Sequence, residues 1–436
     1  MHDFLDNYIR FLTSLSFNHF VRLFWFYIFF EFARYFVLEF IILNFVKLRK
    51  YFERDKYKKA KKDLFFEYPL ISILVPGKNE GKHLYKLVNS LSEQTYQNIE
   101  IIVVDDGSDD DTPIIGKSLE KAGKIDIFLR NEVRGGKASG ANLAFRYAKG
   151  KFIVHLDADC SYDRDAIEQI IIPFYMDDNI GGVGGNVMVR NYKESLATTL
   201  QTIEYYDTIS IGRMVTSHLG WYRVISGAFG AFRKDILDNI GGWDIGPGLD
   251  GDITVKVRKL GYKIHFADEA VCLTSAPRNF KILAKQRLRW DKSIVRFRVR
   301  KHRDVMYPNQ HFKFSGFFSF VENIMFSIVL NVKWFFYLGD MLYNFPSAWL
   351  AIFFTNILLY TSTNYLKYVL YSLYRKRKNA PMSYFLIYIP CMVIYFGFYM
   401  RAVRTIAHIQ EFVFKKSYED PWNPLKTSQH AKKMGL

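Results

Sequence analysis

The sequence predicts a doubly wound α/β domain with a mostly parallel sheet, set between N- and C-terminal helical segments apolar enough to meet a membrane. Three observations predict it. Hydrophobicity is bimodal: residues 64–280 alternate like a soluble domain, while both ends carry long Phe/Tyr/Leu/Ile stretches. In the middle, apolar strand runs end in polar clusters and alternate with helical patterns, which places ligands at the carboxyl ends of parallel strands. Lys+Arg number 60 against 43 Asp+Glu, a net charge of +17, and the basic residues cluster beside the apolar segments.

The first apolar segment runs from Phe24 to Val46, long enough for the ~20 residues a span needs. Glu31, Arg34 and Glu39 interrupt it, which predicts a helix packed against other helices and not one surrounded by lipid. Its length, and the lack of a small-residue cleavage site, argue against a signal peptide. Residues 47–62 then hold nine Lys/Arg, placing this flank in the cytoplasm, against anionic headgroups and not nucleic acid.

The predicted strands follow. Leu70–Val75 leads to Pro76-Gly77-Lys78-Asn79-Glu80, Ile99–Val104 to DDGSDDDT, Ile125–Leu129 to RGGKASGAN, and Phe152–Leu156 to Asp157-Ala158-Asp159. Beyond the domain, residues 285–303 carry nine Lys/Arg interleaved with Ile294, Val295, Phe297 and Val299, the pattern of an interface helix. Apolar stretches cover 316–339, 347–372 and 384–404, with the basic run Arg375–Lys378 between the last two. Pro390 predicts a kink, and Arg401 and Arg404 predict a re-entrant last segment. The boundaries drawn are 1–63 for the N-terminal membrane segment and its basic flank, 64–284 for the α/β domain, 285–315 for the interface region and 316–436 for C-terminal transmembrane helices and tail.

Composition excludes several classes. A chain of 436 residues that is 50% hydrophobic is not disordered, and the bimodal pattern fits neither a wholly soluble protein nor a pure channel. Three cysteines without paired spacing exclude a disulfide scaffold or zinc module. No Walker A pattern is present, against P-loop ATPase or kinase chemistry. Asp157 and Asp159, two residues apart at a strand exit, are hard oxygen donors suited to Mg²⁺ or Mn²⁺ and to a leaving diphosphate. His155 reads as structural, and Cys160 as site-adjacent without a nucleophilic task.

The ordered set PGKNE (76–80), DDGSDDDT (105–112), GGKASGAN (135–142), DAD (157–159), SGAFGAFRK (226–234), LDGD (249–252) and QRLRW (286–290) resembles the membrane-bound family 2 glycosyltransferases of the processive polysaccharide-synthase type. Its flavour is that of hyaluronan, chitooligosaccharide and poly-N-acetylglucosamine synthases. The resemblance implies a cytosolic GT-A domain embedded between membrane helices in a bacterial multi-pass inner-membrane protein. It implies an inverting enzyme that polymerises sugar from a UDP-sugar, UDP-N-acetylglucosamine first, into a β-linked glycan and translocates it. The alternatives are a single transfer to a membrane lipid and a β-glucan synthase using UDP-glucose. Implied partners are the UDP-sugar, the growing glycan and the bilayer, with an accessory subunit left open and no nucleic acid.

Carried over residue by residue, Pro76, Asn79, Glu80, Asp105, Asp106, Lys137, Asp157, Gln286 and Arg289 would bind the donor. Asp159 with Asp157 would hold Mg²⁺ or Mn²⁺. Ser226, Gly227 and Trp290 would meet the acceptor, and Asp250 would be the general base. LDGD departs from the family's triplet and leaves Asp252 as a competitor to Asp250. Asn186 is a further acceptor candidate, and Trp422 in YEDPWNP is similar to the tail motif of these synthases.

Overall fold

The computed structural model describes residues 2–222, 224–244, 248–307, 314–374 and 380–419. The run Arg375–Lys378 and Trp422 lie outside the described residues. The chain divides into two compact units, one from Lys50–Val321 with the segment from Ala407 onward, the other from residues up to Arg49 with Glu322–Ile406.

The first unit holds a sheet of β1 (Ile71–Gly77), β2 (Ile99–Asp106), β3 (Ile127–Asn131), β4 (Phe152–Leu156), β5 (Ser161–Tyr162), β6 (Ile180–Val189), β7 (Phe229–Arg233) and β8 (Lys263–Thr274), in the order β3-β2-β1-β4-β7-β6-β8-β5. β1, β2 and β4 are almost wholly buried apolar runs, as strands covered on both faces must be. β1–β2, β1–β4, β2–β3 and β6–β8 pair in parallel. The expected mostly parallel sheet is corrected to a mixed one, because β7 runs antiparallel to both β4 and β6 and β5 antiparallel to β8. The reversal has a positional result: Leu156, the end of β4, pairs with Phe229, the start of β7. The Ser226–Ala228 loop is thereby delivered beside Asp157–Asp159. Strand runs and helical alternation are visible in a sequence, whereas the direction of a short strand entering from a long loop is not.

The helix Arg54–Glu67 belongs to this unit. Ala60 and Leu64 are buried, Tyr57 donates to Gln169 Oε1 at 2.8 Å and Lys61 pairs with Glu168 at 2.6 Å. Lys50 pairs with Asp268 at 2.6 Å. Part of the basic run therefore answers protein carboxylates, while Arg54, Lys56, Lys58, Lys59 and Lys62 stay exposed.

In the second unit the interrupting charges of the first apolar segment meet partners on other helices, as expected of a packed helix. Arg34 Nη2 lies 2.9 Å from Glu322 and its Nη1 3.6 Å from Glu39; Tyr371 donates to Glu39 at 2.6 Å, and Arg401 pairs with Glu31. Phe26, Trp334 and Tyr337 stack in its apolar core. Among the described residues, Phe314–Asn344 is long and apolar enough to cross a membrane, and Met382–Tyr388 with Cys391–Phe414 qualifies as a pair bent by 63°. The bend falls at Pro390, as its missing N–H predicts. The stretches 24–46 and 347–372 do not reach the same measure.

Candidate active site

The carboxyl ends of β1, β2 and β4 open on one edge of the sheet. The parallel register sets Gly77 beside Asp105 and Asp106 beside Asn131. Asn79 takes a left-handed conformation, φ 59°, which its short amide tolerates better than most side chains. Its N–H donates to Ser108 Oγ at 2.8 Å and its Oδ1 accepts from Asp109 N–H at 2.9 Å, tying the first two loops together. Pro76 is buried at the end of β1, 3.0 Å from where a Cβ on Gly140 would lie.

The two acids after β2 differ. Asp105 Oδ1 accepts from Ser108 N–H at 2.9 Å and Oδ2 lies 3.5 Å from Arg130. Burial raises its pKa, against the pull of Ser108 and Arg130. Asp106 accepts from Asn131 at 3.1 Å and from the N–H groups of Gly135 and Gly136 at 2.8 Å each. It thus holds the turn that launches the helix Lys137–Tyr147, and Gly136 at φ 88° supplies the backbone that turn needs.

Lys137, first residue of that helix, pairs with Asp157 Oδ1 and donates to Gly227 O at 3.4 Å. Burial works against its charge, but Asp157 and Asp250 outweigh it and hold its pKa above the ordinary value. Burial, then Asp159 and Asp157, push Glu80 up to about 8. Burial and Asp157 also raise Asp159. Carboxylates from three chain segments therefore converge with one lysine among them.

Asp250 completes the group. It sits in the first turn of the helix Leu249–Lys259, bonded by the Gly227 backbone; burial raises its pKa, Lys137 lowers it and Asp157 raises it. A Cβ at position 227 would collide with the Asp250 carboxylate and displace it, so glycine there leaves the carboxylate its place. Ser226 carries the turn, its carbonyl accepting from Phe229 N–H at 3.1 Å. His155 Nδ1 lies 2.7 Å from Gly227 O, and burial depresses its pKa to about 3: a neutral structural histidine. Asp252 faces elsewhere, accepting from His302 Nε2 at 2.7 Å and Lys301 Nζ at 2.7 Å. Asn186 is buried, its amide donating to Asp268 O at 3.0 Å and accepting from Ser210 at 2.7 Å.

Gln286, Arg289 and Trp290 lie on the helix Phe280–Ile294. The Gln286 Oε1 is buried without a hydrogen-bond partner among the described residues. Arg287, which sequence reasoning passes over, stacks its guanidinium 4.4 Å from the Trp290 ring centroid and pairs with Glu204 at 2.9 Å. Arg130 is likewise missed; its signal is the register Asp105↔Arg130, legible only once β2 and β3 are aligned.

Residues 72–241 match the family described as Glycosyl transferase family 2. Over 222 residues, 50% of this chain, it is 34% identical to a poly-β-1,6-N-acetyl-D-glucosamine synthase from Staphylococcus epidermidis, and 32% identical over the same length to one from Staphylococcus aureus. The chain spans about half the length of these relatives, 53% in each case. A mannosyltransferase from Pyrobaculum calidifontis, solved with GDP-Man and Mn²⁺, superposes with a TM-score of 0.54 at 18% identity, over 87% of this chain and 99% of its own, which is a likeness of fold. With the mixed sheet and the loops grouped at its edge, the match identifies residues 72–241 as a glycosyl transferase family 2 domain.

Proposed function

We propose that the chain is an inverting, membrane-embedded polysaccharide synthase that transfers N-acetylglucosamine from a UDP-sugar to a growing β-linked glycan and passes the product outward. The observation that carries the chemistry is the placement of Asp250 beside Gly227, facing the Lys137–Asp157 pair.

Asp157 and Asp159 offer a divalent cation a pair of hard oxygen donors, while no group of three or more His, Cys, Asp or Glu among the described residues is gathered closely enough to hold one alone. The donors are carboxylate oxygens; burial first, and then repulsion from Asp157 and, for Glu80, from Asp159, raises the pKa of Glu80 and Asp159, and a cation would relieve that repulsion. Asp159 and Asp157 would hold Mg²⁺ or Mn²⁺, which when bound neutralises diphosphate charge. The protein's own groups do the rest. Pro76, Asn79, Glu80, Asp105 and Asp106 shape the nucleotide pocket, the last by holding the Gly135–Gly136 turn. Lys137 offers its ammonium to the diphosphate, and Gln286 and Arg289 would add further donors. The acceptor hydroxyl approaches along Ser226–Gly227. Asp250 takes its proton as the oxygen attacks the anomeric carbon; the bond from that carbon to phosphate oxygen breaks, and UDP leaves. Burial brings the Asp250 carboxyl nearer to neutrality, which suits a base at physiological pH. Trp290 gives the acceptor ring a flat apolar face.

The membrane reading is supported by the Phe314–Asn344 helix and by the exposed Phe336, Leu342, Leu358, Leu366 and Leu373. The exposed lysines of the 47–62 run suit a cytoplasmic leaflet.

The test is purified protein with Mg²⁺ or Mn²⁺ and a panel of UDP-sugars. Asp250→Asn is expected to keep donor binding and lose about 10²–10⁴-fold in rate. Trp290→Ala is expected to impair elongation while sparing hydrolysis of the donor. Loss of nucleotide binding in Asp250→Asn would refute the base assignment, and a lipid bearing one sugar in place of a ladder of oligomers would refute the polymerase.

A further inference from the structure

Two carboxylates share the first turn of the Leu249–Lys259 helix, yet they face different surroundings. Residues two apart on a helix diverge by about 200°. Asp250 meets Gly227 and Lys137, while Asp252 is buried against the chain that continues the Gln286–Trp290 helix. One oxygen, Asp252 Oδ1, receives both Lys301 Nζ and His302 Nε2 at 2.7 Å. Lys301 also pairs with Asp244, and Asp244 with Lys256 on the Asp250 helix itself. Lys259 pairs with Asp304 at 2.6 Å, one helical turn further along. Between these ion pairs the glycine backbone of the helix packs directly on the Phe297 ring. A Cβ on Gly251 would fall inside the Phe297 ring, and Gly248, at φ 88°, would bring one to 3.0 Å from Phe297 Cδ1 and Ser293 Cβ. Phe297 and His302 are both buried.

Resting on the assignment of Asp250 as the base, we propose that Asp252, Lys301 and His302 form a positioning clamp. The clamp fixes the first turn of the Leu249–Lys259 helix against residues 295–302, and so sets the Asp250 carboxylate relative to the helix bearing Gln286, Arg289 and Trp290. The spacing serves two needs at once: one acid is free to accept a proton, and its neighbour is immobilised by two cationic or hydrogen-bonding partners. A plain N-terminal helix cap would require neither the lysine shared with Asp244 nor the ring-to-backbone contact at Gly251. Chemistry that depends on the reach of one carboxylate is sensitive to small displacements, about 10²-fold in rate for 1 Å.

The experiment compares Asp252→Asn, Lys301→Met, Lys301→Arg and the charge exchange Asp252→Lys with Lys301→Asp in the full chain. UDP affinity, the KM for the donor, kcat, the pH profile of kcat and the melting temperature are measured for each. Asp252→Asn and Lys301→Met are expected to hold UDP affinity and KM within about two-fold while kcat falls roughly 10–100-fold. The acid limb of the profile, set by Asp250, should persist in the remaining activity, and Lys301→Arg should recover most of the rate. The charge exchange should recover more than either of its single variants, Asp252→Lys and Lys301→Asp, measured beside it. A folded Asp252→Asn with wild-type kcat would overturn the clamp and leave the base assignment standing. An Asp252→Asn variant that loses the acid limb, as Asp250→Asn should, would make Asp252 the base and overturn the clamp. A wild-type chain that turns over no UDP-sugar would overturn the parent reading and the clamp together. If Asp252→Asn does not fold, Lys301→Met and His302→Phe decide between the same outcomes.

Discussion

Replacing Glu204 with Gln removes one charge from a pair with almost no access to water. The Glu204 and Arg287 side chains are 6% and 9% exposed, with N and O 2.9 Å apart. At an effective dielectric near 20, unit charges at that distance attract by about 6 kcal/mol. Desolvation offsets much of this, so the pair adds little over an apolar packing of the same volume. Breaking it is different, because Glu204→Gln takes from the buried Arg287 charge the carboxylate 2.9 Å away and should cost up to about 3–5 kcal/mol of stability. Arg287 also lies 4.4 Å from the centroid of Trp290 and 6.0 Å from that of Tyr205, so Trp290 should lose its fixed orientation. Denaturant unfolding with tryptophan emission reads both effects, and oligomer length under UDP-sugar reads the consequence for the acceptor. The double variant Glu204→Leu with Arg287→Met should be more stable than Glu204→Leu alone. A Glu204→Gln protein within about 0.5 kcal/mol of wild type, or a strictly additive double variant, would refute the reasoning.

Three further outcomes are expected. Asp159→Asn should abolish transfer with an unchanged melting curve, since diphosphate charge is no longer neutralised; undiminished activity in EDTA would contradict it. Cysteines introduced at exposed positions between 50 and 60 should resist an impermeant thiol reagent in intact cells and react after permeabilisation; labelling in intact cells would place this flank outside. For Asp244, Asp252 and Asp304, burial alone would raise the pKa, but Lys256 and Lys301, His302 and Lys301, and Lys259 respectively hold each below its ordinary value. A carboxyl whose folded pKa lies below its unfolded one leaves the unfolded chain binding more protons as pH falls. The stability it lends is therefore complete above pH ~4 and lost as pH drops through the folded values. The double variant Asp244→Asn/Asp252→Asn should accordingly lose less stability than wild type between about pH 6 and pH 3, as followed by chemical unfolding.

Strand positions were legible because β1, β2 and β4 are short apolar runs closed by turn chemistry, and the residues at their ends follow from the topology of parallel sheets. Phe152–Leu156 coincides with the predicted strand, and Ile127–Asn131 lies two residues beyond the predicted Ile125–Leu129. The direction of β7 was not legible, since it depends on how a loop of irregular residues returns to the sheet. Asp157, Lys137 and Asp250 stand in recognisable motifs, but the different surroundings of Asp250 and Asp252 depend on partners about 50 residues away, Lys301 and His302. Arg287 and Arg130 escaped notice for the same reason: each pairs with an acid distant in sequence, Glu204 and Asp105, and a single sequence carries no trace of such pairings. Asn186 shows the converse, a polar residue beside motif glycines whose bonds all turn inward.

The ion pairs inside the second unit bear on how the chain is made. Arg34 is synthesised 288 residues before Glu322, and Glu31 370 residues before Arg401. At about 5–20 residues per second, the early helix waits on the order of ten seconds to a minute for the charges that neutralise it. Throughout that interval it holds an acid and a base whose distant partners do not yet exist. Nascent chains halted between the two should be the forms most dependent on insertion factors and most exposed to quality-control proteases, and release from both should coincide with emergence of the last helix.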